Sequence, residues 1–100
     1  MSIICWNCRG AGNAATVQEL CDFARKFAPS VLGVVETQIS KSAAQDLAPA
    51  IGYGCSFAVG NSGRSGGLVI FWNKEIKVEV LSYSRYHIDA RVEGLEHSEW

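Results

Sequence analysis

The chain has 100 residues, enough for one small domain or for part of a larger one. Nine Lys and Arg against ten Asp and Glu give a net charge of −1. That excludes a strongly basic nucleic-acid binder held mainly by counterion release, and it excludes an acidic tail. Hydrophobic residues at 48% with charged residues at 19% describe a globular chain rather than a disordered one.

Residues 3 to 7, Ile3-Ile4-Cys5-Trp6-Asn7, are apolar and end in a polar residue, which predicts a buried strand. Gly10-Ala11-Gly12-Asn13 reads as a turn. Thr16-Val17-Gln18-Glu19 matches a capping box, with Thr16 as the N-cap. Val17, Leu20, Phe23, Ala24 and Phe27 follow at helical spacing, Arg25 and Lys26 suit the last turn, and Pro29 stops the helix. Val31 to Val35 predicts a second buried strand, ending at Glu36. A strand-helix-strand unit makes these two strands parallel.

A shorter helix is expected over 42–50, ended by Gly52 and Gly54, and then a short strand over 55–59. Gly60 to Gly67 reads as a flexible loop. Leu68-Val69-Ile70-Phe71-Trp72 is continuously apolar, as in a strand buried on both faces. Beyond Asn73-Lys74 the pattern alternates: Ile76, Val78 and Val80, then Ile88, Ala90 and Val92, around a polar turn at 82–86. Ser98-Glu99-Trp100 looks like the start of a strand after a turn at Gly94 to His97. The fold class is α/β, with one mixed sheet and helices on one face. No remaining segment is expected to cover the second face of Leu68 to Trp72.

No segment reaches the roughly 18 to 20 apolar residues of a membrane span, and the N-terminus lacks the pattern of a signal peptide. The expectation is an intracellular protein, nuclear or cytoplasmic, without a membrane partner. Cys5, Cys8, Cys21 and Cys55 are then free thiols. Cys5 and Cys8 form a C-x-x-C, but a zinc site needs a second pair and a redox motif needs to open a helix. Residues three apart on a strand also face opposite ways, so the pair is expected to serve as small buried apolar residues.

Asn7 and Glu36 stand at the C-terminal ends of the parallel strands, where open α/β sheets place their ligand crevice. A carboxylate there can hold a hard cation such as Mg²⁺, and an amide can orient a phosphate. Polar residues also stand at strand ends simply because the chain is leaving the core. Gly10-Ala11-Gly12-Asn13-Ala14-Ala15 imitates a dinucleotide-binding fingerprint, although Cys8-Arg9 separates it from the strand. Arg64, in the glycine-rich loop, is a further candidate for a phosphate contact, as any exposed arginine is.

Several blocks occur together in order: Cys5-Trp6-Asn7-Cys8-Arg9-Gly10, Val34-Val35-Glu36-Thr37-Gln38, Ser65-Gly66-Gly67-Leu68-Val69-Ile70-Phe71-Trp72 and His87-Ile88-Asp89. This series resembles the N-terminal part of the endonuclease/exonuclease/phosphatase superfamily. The W-N-C-R-G start and the S-G-G-L-x-x-x-W block look most like the endonuclease domain of plant-type non-LTR retrotransposons. The resemblance implies the N-terminal half of a deoxyribonuclease I-like four-layer α/β sandwich, with residues 1–100 a partial domain truncated at its C-terminus. It implies a DNA-directed, Mg²⁺- or Mn²⁺-dependent phosphodiesterase with Glu36 as metal ligand and Asn7 orienting the catalytic machinery. Arg9 and Gln38 are weaker substrate-binding candidates, and the family commonly has lysine where Gln38 stands. The family's later Asp-x-Asn and Ser-Asp-His motifs are absent from this sequence, and neither His87 nor His97 stands in such a context. The isolated chain is therefore expected to be inactive or nearly so. The alternatives are a phosphatase acting on small phosphoesters, a nucleotide-binding module using Gly10 and Gly12, and a remnant without function.

Overall fold

A computed structural model describes residues 3–62, 65–93 and 98–99. The first strand, β1 (Ile3–Asn7), is followed by the helix α1 (Ala14–Phe27), the strand β2 (Val31–Val35) and the helix α2 (Lys41–Ile51). Then come β3 (Cys55–Ser62), β4 (Ser65–Trp72), β5 (Val78–Tyr83), β6 (Ile88–Val92) and β7 (Ser98–Glu99).

The strands form two sheets, not one. The first has the order β1-β2-β4-β3, and the second has the order β5-β6-β7. β1 and β2 are parallel, as expected of a strand-helix-strand unit, with Asn7 opposite Val35. β4 runs antiparallel to both β2 and β3. β1 is an edge strand and half-buried, which corrects its reading as a buried strand.

Alternation along the first sheet divides its side chains between two cores. Leu32, Val34, Ala58, Val69 and Phe71 meet Leu20 and Ala24 of α1 and Ala44, Ala48 and Ile51 of α2. Tyr53 joins them: its ring stacks on Phe71 at 6.0 Å, and its buried hydroxyl donates to the Pro29 carbonyl at 2.8 Å. On the opposite face Leu68 and Ile70 meet Ile88 and Ala90, flanked by Val35, Phe57, Val59, Trp72, Val78 and Val80. The expected open face of Leu68 to Trp72 is thus covered by the chain's own second sheet. Burying a side chain such as Ile70 or Ile88 there contributes about 1.5–3 kcal/mol.

Local signals explain the elements and their departures. α1 begins two residues before Thr16, because Asn13 is the N-cap and its Oδ1 accepts the Thr16 N–H at 2.8 Å. Asparagine caps as well as threonine, so Glu19 falls too far along the helix to complete a capping box. α2 is capped by Ser40, runs one residue beyond each expected limit, and holds Pro49 in its final turn. β3 and β4 extend into the expected flexible loop, pairing as far as Ser62 with Ser65. Gly63 and Arg64, the turn at 94–97 with His97, and Trp100 lie outside the described residues.

Candidate active site

Asn7 ends β1, and Glu36 follows β2 directly. The parallel register sets Asn7 beside Val35, so the two candidates leave the sheet side by side. The backbone here is unusual. Arg9, Glu36 and Gln38 have positive φ angles of 53°, 57° and 57°. A non-glycine residue in that region carries about 1–3 kcal/mol of strain, which surrounding bonds must overcome.

Those bonds form a three-stranded clasp. Cys8 N–H donates to the Val35 carbonyl at 3.2 Å, Gly10 N–H to Glu36 at 2.7 Å and Ala11 N–H to Thr37 at 2.7 Å. From the other side Thr37 N–H donates to Gly67 at 3.2 Å, and Gln38 N–H donates to Gly66 at 2.8 Å. The Glu36-Thr37-Gln38 segment is thereby held between the β1 exit and the β4 entry.

Thr37 is the centre of the clasp. It is fully buried, and its hydroxyl has no hydrogen-bond partner among the described residues. Gly67, at φ 95°, passes so close that a β-carbon there would collide with the Thr37 hydroxyl. Glycine is required at 67 for both reasons. Sequence reading placed Gly66-Gly67 in a flexible loop. The signal that could have corrected it was a glycine pair directly ahead of a continuously apolar strand.

Asn7 is exposed and Glu36 half-buried. Asn7 Oδ1 accepts the Arg9 N–H at 3.2 Å, shaping the turn that follows β1. With its oxygen so engaged, Asn7 offers its NH₂ group as a donor. Arg9 and Gln38 are both exposed at this end. The Gln38 carboxamide rests against Gly10, where an added β-carbon would come within 3.0 Å of Oε1. The structure therefore brings Asn7, Arg9, Glu36 and Gln38 together, while Arg64 lies outside the described residues.

The C-x-x-C thiols diverge, as strand geometry requires. Cys8 packs with the helix-side core, whereas Cys5 is exposed. All four cysteines are free, and neither Cys5 nor Cys8 is fully buried, so the reading of that pair as buried apolar residues fails. Partial desolvation by its neighbours pushes the Cys5 thiol above its usual range, although its side chain still reaches solvent. It does the same to Cys8, opposed by the Gly10 and Cys8 N–H groups and reinforced by the nearby Glu36 charge. Cys8 Sγ donates to the Glu36 carbonyl at 3.6 Å, so the thiol is one more brace on the segment.

The dinucleotide reading loses three of its possible donors here. Gly10 and Ala11 commit their N–H groups to Glu36 and Thr37, and Asn13 occupies the Thr16 N–H at the start of α1. His87 lies in the turn before β6 rather than in the strand, with Nδ1 2.7 Å from Ser84 Oγ. Among the described residues no group of three His, Cys, Asp or Glu gathers, so Glu36 stands without a carboxylate cluster. A cavity of about 640 Å³ between Trp72, Val78 and Val92 lies at the opposite end of β4 and shares no residue with this site. Among the described residues no helix is long and apolar enough to cross a membrane.

The fold superposes on an AP endonuclease from Archaeoglobus fulgidus with a TM-score of 0.65 at 17% identity, over 93% of this chain and 38% of that one. A 3′-5′ exonuclease from Neisseria meningitidis gives 0.67 at 16% identity, over 95% and 39%. A Neisseria 3′ phosphatase bound to a product DNA hairpin gives 0.63 at 15% identity, over 92% and 38%. Those identities show a shared fold, the deoxyribonuclease I-like one expected from the sequence. The chain spans less than two-fifths of each of these proteins. No curated protein matches it. From residue 4 to residue 96, however, the sequence fits the endonuclease/exonuclease/phosphatase family, and the chain belongs to that family.

Proposed function

We propose that this chain is the N-terminal part of a divalent-metal-dependent phosphodiesterase that cuts DNA, of the kind carried by non-LTR retroelements. The observation that carries the proposal is the strained Glu36, held beside Asn7 by a backbone clasp at the carboxyl end of two parallel strands. Family membership and DNA-acting proteins of the same fold support it. The retroelement assignment rests on the W-N-C-R-G and S-G-G-L-x-x-x-W blocks.

The donors suit a hard cation in part. Glu36 supplies a carboxylate oxygen, and Mg²⁺ or Mn²⁺ is commonly held by one or two carboxylates with water completing the shell. Such a cation, when bound, stabilises charge on the phosphate and the leaving oxygen. Asn7, through its NH₂ group, would orient a phosphate oxygen. Arg9 and Gln38 flank that position. Hydrolysis also needs a general base for the attacking water, and the family's Asp-x-Asn and Ser-Asp-His motifs do not occur in this sequence. The chain by itself therefore orients and partly binds, and does not turn over.

A plasmid-nicking assay in Mg²⁺ tests the reading, together with a Mn²⁺ titration followed by electron paramagnetic resonance. Expected are no nicking above background and weak saturable Mn²⁺ binding that Glu36→Gln removes. Robust nicking abolished by Glu36→Ala would overturn the claim of inactivity. Mn²⁺ binding indifferent to Glu36→Gln would overturn the site. Phosphatase action on small phosphoesters is the second reading, supported by the phosphatase among the proteins of this fold. Release of phosphate from a nucleoside monophosphate would favour it.

A further inference from the structure

β1 has an open edge. In the order β1-β2-β4-β3 it has β2 on one side and, among the described residues, no strand on the other. Cys8 N–H donates to the Val35 carbonyl, and the parallel register carries that bonding back along the strand. Successive residues of a strand aim their backbone groups to alternate sides. The N–H and C=O groups of Ile4 and Trp6 thus face β2, and those of Ile3, Cys5 and Asn7 face outward. Edge strands ordinarily carry a charge, a proline or a bulge that discourages pairing. Ile3-Ile4-Cys5-Trp6-Asn7 has no charge and no proline, and its register runs without a bulge.

An aromatic groove adjoins this edge. On the helix side of the sheet Trp6 stacks on Phe23 at 5.6 Å, and Phe23 meets Phe27 at 4.8 Å. These three rings, with Glu19, Asp22 and Lys26, line a cavity of about 370 Å³. Phe27 is 52% exposed. Cys5 points to the opposite face of the sheet from Ile4 and Trp6, and it too is exposed.

Strand and groove are complementary to themselves. An antiparallel copy of β1 centred on Cys5 sets Ile3 against the copy's Asn7, Ile4 against its Trp6 and Cys5 against its Cys5. All three outward-facing residues then fall in hydrogen-bonded pairs, so every outward N–H and C=O of β1 finds a partner. Ile4 against Trp6 joins a β-branched side chain to an aromatic one, a favourable combination across strands. α1 runs antiparallel to β1. The four residues from Phe23 to Phe27, about 6 Å of helix, therefore match the two from Trp6 back to Ile4, about 6.6 Å of strand. That puts Phe27 at the level of the copy's Trp6, beside the copy's groove. The two α1 helices run in opposite directions, which brings Asp22 of one toward Lys26 of the other. With a net charge of −1 per chain, little long-range repulsion opposes the approach.

We propose that β1 pairs with the β1 of a second copy of this chain, edge to edge and antiparallel about Cys5, to give a two-fold dimer with one continuous sheet. A two-fold contact requires a surface that complements itself, and this edge meets that requirement in backbone groups, side-chain bulk and charge.

Sedimentation equilibrium of the full chain over a concentration series tests this. The expected mass rises from one chain to two. Cys5→Pro removes an outward-facing N–H, leaves the bonds to β2 in place, and should hold the mass at one chain. Cys5→Lys and Cys5→Glu each set like charges across the two-fold axis, and each should dimerise several-fold more weakly than the wild type. Mixed together, these two variants should associate up to about tenfold more tightly than either alone. That recovery reads the interface whether or not Cys5→Pro folds, and circular dichroism melts at low concentration check all three. A short bis-maleimide should link Cys5 to Cys5 between isotopically distinct chains, as read by mass spectrometry. A mass of one chain at every concentration overturns the proposal and leaves the edge to a strand from another partner. A dimer that a normally melting Cys5→Pro leaves intact also overturns it, as does a mixture of Cys5→Lys and Cys5→Glu that associates no more tightly than either alone.

Discussion

The two ends of the four-stranded sheet are built on different terms. At the end carrying Trp72, positive φ angles belong to Ala28 and Gly52, and each ends a helix in the ordinary left-handed cap. At the other end six such residues gather among those described: Arg9, Gly10, Glu36, Gln38, Gly66 and Gly67. None of these six caps a helix. They shape the Glu36 segment and hold it against the β1 exit and the β4 entry. That concentration of backbone strain is what motivates the proposal of a site at this end.

The comparison can be broken or sharpened by substitution. In the relaxed interior, Phe71→Ala should cost about 3–5 kcal/mol, read from urea denaturation, because the ring is fully buried against Tyr53. At the strained end, Gly67→Ala should cost about 2–3 kcal/mol, from a φ of 95° and the contact with Thr37. Adding Thr37→Ala to Gly67→Ala should recover about 1 kcal/mol of that in a double-mutant cycle. No coupling between the two would mean that backbone angle, not the buried hydroxyl, dictates glycine. Asn13→Ala should cost about 1 kcal/mol, since it removes the N-cap of α1. The smallest effect has the opposite sign. Gln38→Gly should leave stability unchanged or raise it by up to about 1 kcal/mol, because it releases a non-glycine residue from φ 57°. A clear loss there would show that the carboxamide resting on Gly10 holds the loop together.

Periodicity made most elements legible. Val31 to Val35 and Leu68 to Trp72 are uninterrupted apolar runs, and both are central strands. The second sheet was not legible as a separate layer. Alternation at Val78, Val80, Ile88, Ala90 and Val92 says that one face is covered, but the same pattern serves a strand added to the first sheet or one laid across it. The start of α1 misled because two good caps, Asn13 and Thr16, stand three residues apart and Glu19 flattered the wrong one. Asn7 and Glu36 could be found because strand ends are visible in a sequence. The Thr37–Gly67 contact could not, because it joins distant stretches that meet only once the register sets Val35 opposite Leu68.

The clasp around Glu36 also has a temporal side. Its bonds tie residues 8–11 to 35–37 and residues 37–38 to 66–67, so no local stretch of chain can form it alone. Loop-closure entropy must be overcome twice before any of these bonds is made, which puts the clasp among the late events of folding. The same non-locality makes it among the first regions to open. Amide exchange at Ala11 and Gln38 faster than at Leu32 and Phe71 would record a site assembled last and released first.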